Sequence, residues 1–354
     1  MKSTDSTHAL LQRSLWSVLV LTVVIGLGVT FWWGEDVDAL IAQMDPTYFA
    51  WAIVLLSAGL PTVAMRWRSL LDPEEKKRTK PLFMTGLLML GHLLNVGIPG
   101  PVGEVVTSWI VHKRYNVDFG NSLSALLVSR ILGLISAFLI AVVVFTISPI
   151  KVAEEYVDKL WVVSVLLLAL GGLASSVVLF PEYPKNLLVS VRKHNWLQGR
   201  FLQRGFDLVD QLLGSFIDTA KRGWLAYGEA FFWCVLGHSM VASGIFCTVL
   251  ALGYDVAWTG IFFTYSSSII FSLVMFMFPG STLGFDVLFS GMLHVTGGIP
   301  LPVAVLVASV IRLHQSLIAV LGGVMLVFTS QTLLDEALAF AKKYVTDSST
   351  TPEE

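Results

Sequence analysis

Two acid–arginine pairs stand out in this sequence. Glu104 precedes Arg130 by 26 positions, and Asp286 precedes Arg312 by the same 26. Each arginine is the only Asp, Glu, Lys or Arg in a long apolar stretch, Ser122–Ile147 and Val303–Thr329. Arg130 is the ninth residue of its stretch, roughly 13 Å along a helix and close to halfway through a ~30 Å hydrocarbon core. An arginine at that depth costs ~2.5 kcal/mol or more, so each needs a partner or a function. One reading is structural: ion pairs Glu104–Arg130 and Asp286–Arg312 that fix the fold, although buried pairs are weak sources of stability. The other gives both arginines an anionic ligand, with Glu104 and Asp286 as exchangeable counter-ions or proton carriers.

The residues before each acid bear on that choice. Pro99-Gly100-Pro101-Val102-Gly103-Glu104 and Pro279-Gly280-Ser281-Thr282-Leu283-Gly284-Phe285-Asp286 each place backbone amides at the start of a returning helix, where an anion binds readily. Gly100, Gly103, Gly280 and Gly284 therefore join the two pairs as candidate substrate-binding residues. Asn95 is a candidate cap or bridge, and His314 lies two positions from Arg312. Two guanidiniums and two helix ends suit a phosphate better than a neutral sugar.

Composition fixes the setting. The 354 residues are 55% hydrophobic and only 14% charged, whereas soluble domains run near 25% charged. A soluble globular enzyme, a disordered chain and a nucleic-acid binder are excluded. The expected fold is an all-α polytopic membrane protein. Six full spans are expected at Leu15–Trp33, Tyr48–Leu70, Ser122–Ile147, Leu160–Phe180, Trp224–Leu252 and Val303–Thr329. Two shorter stretches, Leu82–Ile98 and Trp258–Phe278, run into Pro-Gly and are expected to be re-entrant hairpins. The first span ends in Trp32-Trp33-Gly34-Glu35 without a small-x-small cleavage site, so it reads as a retained anchor. With both Pro-Gly stretches re-entrant, 19 of the 21 basic residues other than Arg130 and Arg312 fall on one side, the cytoplasmic side by the positive-inside rule. Both termini are then cytoplasmic. The charges support the first hairpin more strongly than the second, whose crossing would invert only Lys342 and Lys343. The expected organisation is a tail at 1–14, one membrane domain at 15–334 and a tail at 335–354. Repeat one runs from about 48 to 180, and repeat two from about 224 to 329. Between them, 186–222 reads as an amphipathic helix suited to anionic lipid.

The halves share one register. Both acids and both arginines are offset by 182, and Val117 maps to Ile299 without a gap. The Pro-Gly pair is offset by 180, so the second turn carries two extra residues. By the loop charges the two arginine-bearing spans run in opposite directions, which is an inverted-topology repeat of the kind transporters use. Broken helices at that depth need protein or a wet cavity around them, and Pro99, Gly100, Pro279 and Gly280 are the expected breaks.

Weaker signals read as packing. His92, His238, His294 and His314 lie in or near spans without the spacing of a metal site. Ser266–Ser268 are placed to bond across helices, Glu229 to sit at the cytoplasmic interface, and Gly26–Gly28 and Gly171–Gly172 to admit close helices. Trp32, Trp33, Trp161, Trp224 and Trp258 fall at span ends, as an interfacial belt would. Cys234 and Cys247, separated by 13 residues of helix or roughly 20 Å, cannot form a disulfide or a CxxC site.

The run Asn95-x-x-x-Pro99-Gly100-x-x-Gly103-Glu104, with Arg130 downstream, resembles the flippase-like transmembrane domain of the lysylphosphatidylglycerol synthetase family, the membrane part of the multiple peptide resistance factor. Phe278-Pro279-Gly280 through Arg312 to Gly322 resembles that family's second motif, with Asp286 where glutamate is more usual. The tail after Thr329 is too short for the family's soluble aminoacyltransferase domain, so lysyl transfer is not expected. The resemblance implies movement of a lipid or lipid-linked headgroup between leaflets. The expected function is therefore a lipid flippase or transporter for an anionic phospholipid or a polyprenyl-phosphate-linked headgroup, in a bacterial or archaeal cytoplasmic membrane. It is not expected to be an enzyme or to need a cofactor or metal. The alternatives are an ion- or proton-coupled transporter of a small soluble anion, and a membrane-embedded accessory protein or transferase of envelope-lipid synthesis. Its expected partners are membrane lipids with anionic headgroups, with a second copy of the chain or a lipid-pathway enzyme as further candidates and no nucleic acid.

Overall fold

A computed structural model describes residues 39–97, 102–147, 223–275, 281–327 and 336–341, with isolated residues elsewhere. Isolated residues apart, the stretches expected as spans at Leu15–Trp33 and Leu160–Phe180, the amphipathic segment at 186–222 and both Pro-Gly turns lie outside that set. Among the described residues the chain is helical, without strands. In chain order the helices are α1 (Pro46–Ser69), α2 (Pro73–Arg78), α3 (Pro81–Gly97), α4 (Val102–Tyr115), α5 (Phe119–Ile147), α6 (Trp224–Ala251), α7 (Trp258–Met275), α8 (Ser281–Gly297) and α9 (Leu301–Val327). Four of them, α1, α5, α6 and most of α9, are long and apolar enough to cross a bilayer. The chain is an all-α polytopic membrane protein.

The 182-residue offset reappears in three dimensions. α1 and α6 end at Ser69 and Ala251, α4 and α8 at Tyr115 and Gly297, and α5 and α9 begin at Phe119 and Leu301. Asn116 and Gly298 both turn the chain with positive φ, 52° and 65°. His112 Nδ1 contacts the carbonyl oxygen of Val117 at 2.7 Å, and His294 Nδ1 contacts that of Ile299 at 2.6 Å. A left-handed residue closing the helix, with a ring nitrogen reaching over it, forms the same turn twice.

α1 and α6 are equivalent helices packed against each other, and they run antiparallel. The Asp45 N–H donates to Ala251 O at 2.8 Å, so the start of one helix meets the end of the other. A side chain added at Gly59 would meet Val241, at Gly237 Thr62, and at Gly244 Leu56. Gly59 and Val241 are themselves one offset apart, so the pseudo-two-fold passes through their contact. The halves also exchange partners: α3 of the first packs on α9 of the second, and α7 of the second on α5 of the first. Gly322 of α9 lies against the backbone of Met89 and Leu90, where even a methyl group would overlap.

One end of the bundle is polar. Lys76 of α2 pairs with Glu229 of α6, and Glu75 Oε1 accepts the Asp118 N–H at 2.9 Å before α5. Trp67 Nε1 donates to Ser122 O at 2.9 Å, tying the end of α1 to the same region. Glu229 thus sits at the polar end of the bundle. Arg66 differs from its expected place. One of the 19 basic residues counted to the cytoplasmic side, it is inside α1 and 9% exposed. Ser266–Ser268 differ as well: Ser268 Oγ donates to Thr264 O of its own helix at 2.7 Å, and Ser266 and Ser267 bond to nothing across the interface. The helix-to-helix hydroxyl contact is Thr264 with Thr296, at 2.6 Å.

Candidate functional site

The first acid–arginine pair lines a cavity of about 260 Å³. α3 presents His92 and Asn95 to it, α4 Gly103, Glu104 and Thr107, and α5 Leu126 and Arg130. The apolar wall is completed by Leu60 and Val63 of α1, and the far wall comes from the other half, through Gln315 and Ile318 of α9. Pro61 sits between Leu60 and Val63 with no N–H for the carbonyl one turn back, which loosens α1 beside the cavity.

Glu104 is held in place by its neighbours. It pairs with Arg130, and Asn95 Nδ2 donates to both of its oxygens at 3.1 Å. Asn95 Oδ1 in turn accepts the Gly103 N–H at 2.8 Å. One side chain therefore orients the acid and satisfies a backbone amide at the open start of α4, where no intrahelical acceptor exists. The approach requires Gly103, because any side chain there would overlap Gly91 O and Asn95 itself. The pair is lopsided: the Glu104 side chain is 6% exposed and that of Arg130 is 53% exposed. The carboxylate is fixed and covered, while the guanidinium faces the cavity with donors to spare.

The second pair is closed. Asp286 accepts from Arg312 Nε at 2.7 and 2.9 Å through its two oxygens, and the side chains are 18% and 13% exposed. The shorter acid reaches its arginine without difficulty. Arg312 Nη1 donates to Gln315 Oε1 at 2.7 Å, and the guanidinium lies 5.1 Å from the Phe285 ring centre. Phe285 and Phe289 stack at 5.7 Å. In the register of the repeat they stand where the first half has Gly103 and Thr107, so phenyl rings take the positions of two small cavity-lining residues.

Among the candidate residues, the structure brings Asn95, Gly103, Glu104 and Arg130 together on one cavity. Asp286 and Arg312 reach that cavity only through Gln315, a residue that sequence reasoning did not single out. His92 lies within electrostatic reach of both arginines. His314 Nε2 contacts Ser57 Oγ at 2.9 Å on α1, and the cavity wall does not include it. Gly284 lies in α8, and Gly100 and Gly280 are outside the described residues. His238 contacts Gly133 O at 2.8 Å and the Tyr265 hydroxyl at 3.2 Å. Among the described residues no cluster of three His, Cys, Asp or Glu could hold a metal.

Residues 15–323 match the family described as lysylphosphatidylglycerol synthase TM region. A second similarity is to glycosyltransferase AglD of Haloferax volcanii, 28% identical over 119 residues, which are 33% of this chain and 19% of that protein. This chain therefore spans about a fifth of the curated relative it matches. No solved structure matches. The chain belongs to the lysylphosphatidylglycerol synthase transmembrane-region family.

Proposed function

We propose that the protein is a lipid flippase or transporter, carrying an anionic phospholipid or a polyprenyl-phosphate-linked headgroup between leaflets. The supporting observation is the half-exposed Arg130 in a cavity built by both halves. The headgroup anion takes the free face of the Arg130 guanidinium as a charge-assisted, two-pronged ligand. Glu104 yields to it without being left bare, because Asn95 continues to donate to both of its oxygens. Thr107, His92 and Gln315 supply further polar contacts, and the apolar walls suit the glycerol or prenyl carbons next to the headgroup while the tails stay in lipid. Rocking of the antiparallel halves about the α1–α6 contact then exposes the loaded cavity to either side. α3–α4 and α7–α8 act as re-entrant hairpins, and the Lys76–Glu229 end is cytoplasmic. No ATP-binding motif is present in the sequence, so the driving force is a gradient, the membrane potential or lipid supply.

The similarity to AglD, a protein named as a glycosyltransferase, favours lipid-linked glycan metabolism as the setting, with this chain handling the lipid rather than the sugar transfer. Reconstitution into proteoliposomes with fluorescent headgroup-labelled lipid tests the reading. Wild-type protein is expected to equilibrate the label between leaflets, and Arg130→Ala to fall to the protein-free background while keeping its helical content. Wild-type rates from Arg130→Ala would remove the site. A soluble-anion transporter would instead move inorganic phosphate and leave the lipid label where it started.

A further inference from the structure

Among the described residues Arg66 has no counter-charge. It is 9% exposed, its Nη1 meets Cys234 Sγ at 3.8 Å, and its Nε has no hydrogen-bond partner. None of the described groups around it is an acid. The Ser136 hydroxyl and His238 Nε2 both lie against Gly133 O at 2.8 Å, and His238 also meets the Tyr265 hydroxyl. Arginine cannot shed its proton, so Arg66 cannot escape burial by becoming neutral, and buried charges are otherwise paired. An arginine one turn from a helix end can extend to water along its own stem. Arg66 does the reverse, reaching the level of Cys234, the eleventh residue of α6 and roughly 15 Å into that helix. The end of α1 contributes only a partial negative charge.

The space Arg66 occupies is built for it. Its guanidinium lies where a side chain on Gly133 would begin. One offset away from Gly133 stands Gln315, a wall of the cavity. Arg66 itself corresponds to Thr248, whose hydroxyl bonds Gly244 O at 2.9 Å within its helix. The halves thus agree in their acid–arginine pairs and differ by one extra cation, set about one turn along α5 from Arg130. Among the described residues inside the spans, the other acids and arginines away from the polar end close in pairs, Glu104 with Arg130 and Asp286 with Arg312. Glu229 pairs with Lys76 at the polar end, and Arg68 donates there to Lys76 O and Thr79 O. The stretches 15–33 and 160–180 contain no Asp, Glu, Lys or Arg. Among these described residues three guanidiniums face two carboxylates, an excess of one arginine over the acids.

We infer that Arg66 sets the charge of the transported anion: a phosphodiester with a single negative charge, which brings the loaded domain to neutrality. This rests on the transport reading above. A phosphomonoester, whose second proton leaves with a pKa of about 6, carries nearly two negative charges at pH 8 and would leave the loaded domain one charge in excess.

The test reconstitutes wild type, Arg66→Gln and Arg66→Lys at pH 8. The vesicles hold acyl-labelled phosphatidylglycerol, a diester, or acyl-labelled phosphatidic acid, a monoester. Native mass spectrometry counts the lipid bound to each protein. Wild type is expected to move the diester at least about tenfold faster than the monoester. Arg66→Gln should lose about tenfold on the diester, bind fewer diester molecules and lose the preference, whereas Arg66→Lys should keep it. Equal wild-type rates for the two lipids would overturn the inference while leaving lipid transport standing. So would an Arg66→Gln protein with the preference intact, or an Arg66→Lys protein behaving like Arg66→Gln. If wild type moves neither lipid, the transport reading fails, and this inference with it.

Discussion

The two acid–arginine pairs occupy the same register and meet opposite ends. In the first half Gly103 and Thr107 leave a cavity, and Arg130 turns half its side chain into it. In the second, Phe285 and Phe289 occupy the corresponding positions, and Arg312 is enclosed between Asp286, Gln315 and a ring face. The acids are held differently too. Glu104 relies on Asn95 as well as its arginine, while the residue matching Asn95 in the sequence of the second half is a methionine at either offset, Met275 or Met277. A duplicated charge pair can therefore divide into one copy that binds and one that braces, without either charge being lost. The bracing copy still acts on the cavity. Arg312 holds the oxygen of Gln315, which leaves the amide nitrogen of Gln315 as its donor.

Exchanging the small and large residues is the most direct way to break this comparison. Thr107→Phe puts a ring into the cavity and should reduce lipid translocation by at least ~100-fold. The reciprocal Phe289→Thr opens space beside the bracing pair. It should leave translocation within about twofold and cost about 3–5 kcal/mol of stability, as large-to-small core changes do. Headgroup-labelled transport and thermal unfolding in detergent separate the two effects. Transport lost from both variants, or from neither, would mean the halves are not divided in this way.

Removing one member of the bracing pair is the next largest change. Arg312→Gln leaves Asp286 buried without a partner, at about 3–5 kcal/mol. The double variant Asp286→Asn/Arg312→Gln removes both charges and should recover most of that loss. Unfolding midpoints decide it: a double variant no more stable than the single would show that Asp286 is not paired as drawn.

Much of this arrangement is legible in the sequence, because charges in apolar stretches are few enough to count. The paired spacings, the register of the repeat and Asn95 beside the first pair all follow from that. Three features do not. Phe285 and Phe289 are ordinary residues for an apolar helix, and nothing in one sequence distinguishes a ring that packs from one that plugs a site. Arg66 stands two positions from Arg68 and just before a basic loop, so linear reading assigns it to water; only the room at Gly133 shows otherwise. Gln315 is polar and one turn from Arg312, but its role depends on α9 crossing into the other half, and that contact has no local signature. Of the glycines expected to mediate packing, Gly26, Gly28 and Gly171 lie outside the described residues and Gly172 faces open space, while the observed close approaches fall at Gly59, Gly237, Gly244 and Gly322.

Gly322 sharpens the comparison at the smallest scale. It lets α9 of the second half lie directly on the backbone of α3, the helix that carries His92 and Asn95. Its counterpart at the 182 offset is Ile140 on α5, which has a full side chain. The α7–α5 seam therefore carries a full side chain where the α9–α3 seam, whose wall must come close enough for Gln315 to reach the cavity, has a glycine. Gly322→Ala adds one methyl group against backbone that cannot rotate aside, and overpacking of that kind costs about 1–3 kcal/mol. Ile140→Val at the equivalent place should cost only about 0.5–1.5 kcal/mol and leave transport unchanged. Because the α9–α3 seam holds the far wall of the cavity, Gly322→Ala should also weaken lipid binding several-fold, measured as lipid retained in native mass spectra. Equal loss of binding from Gly322→Ala and Ile140→Val would place the demand for close packing on both halves alike.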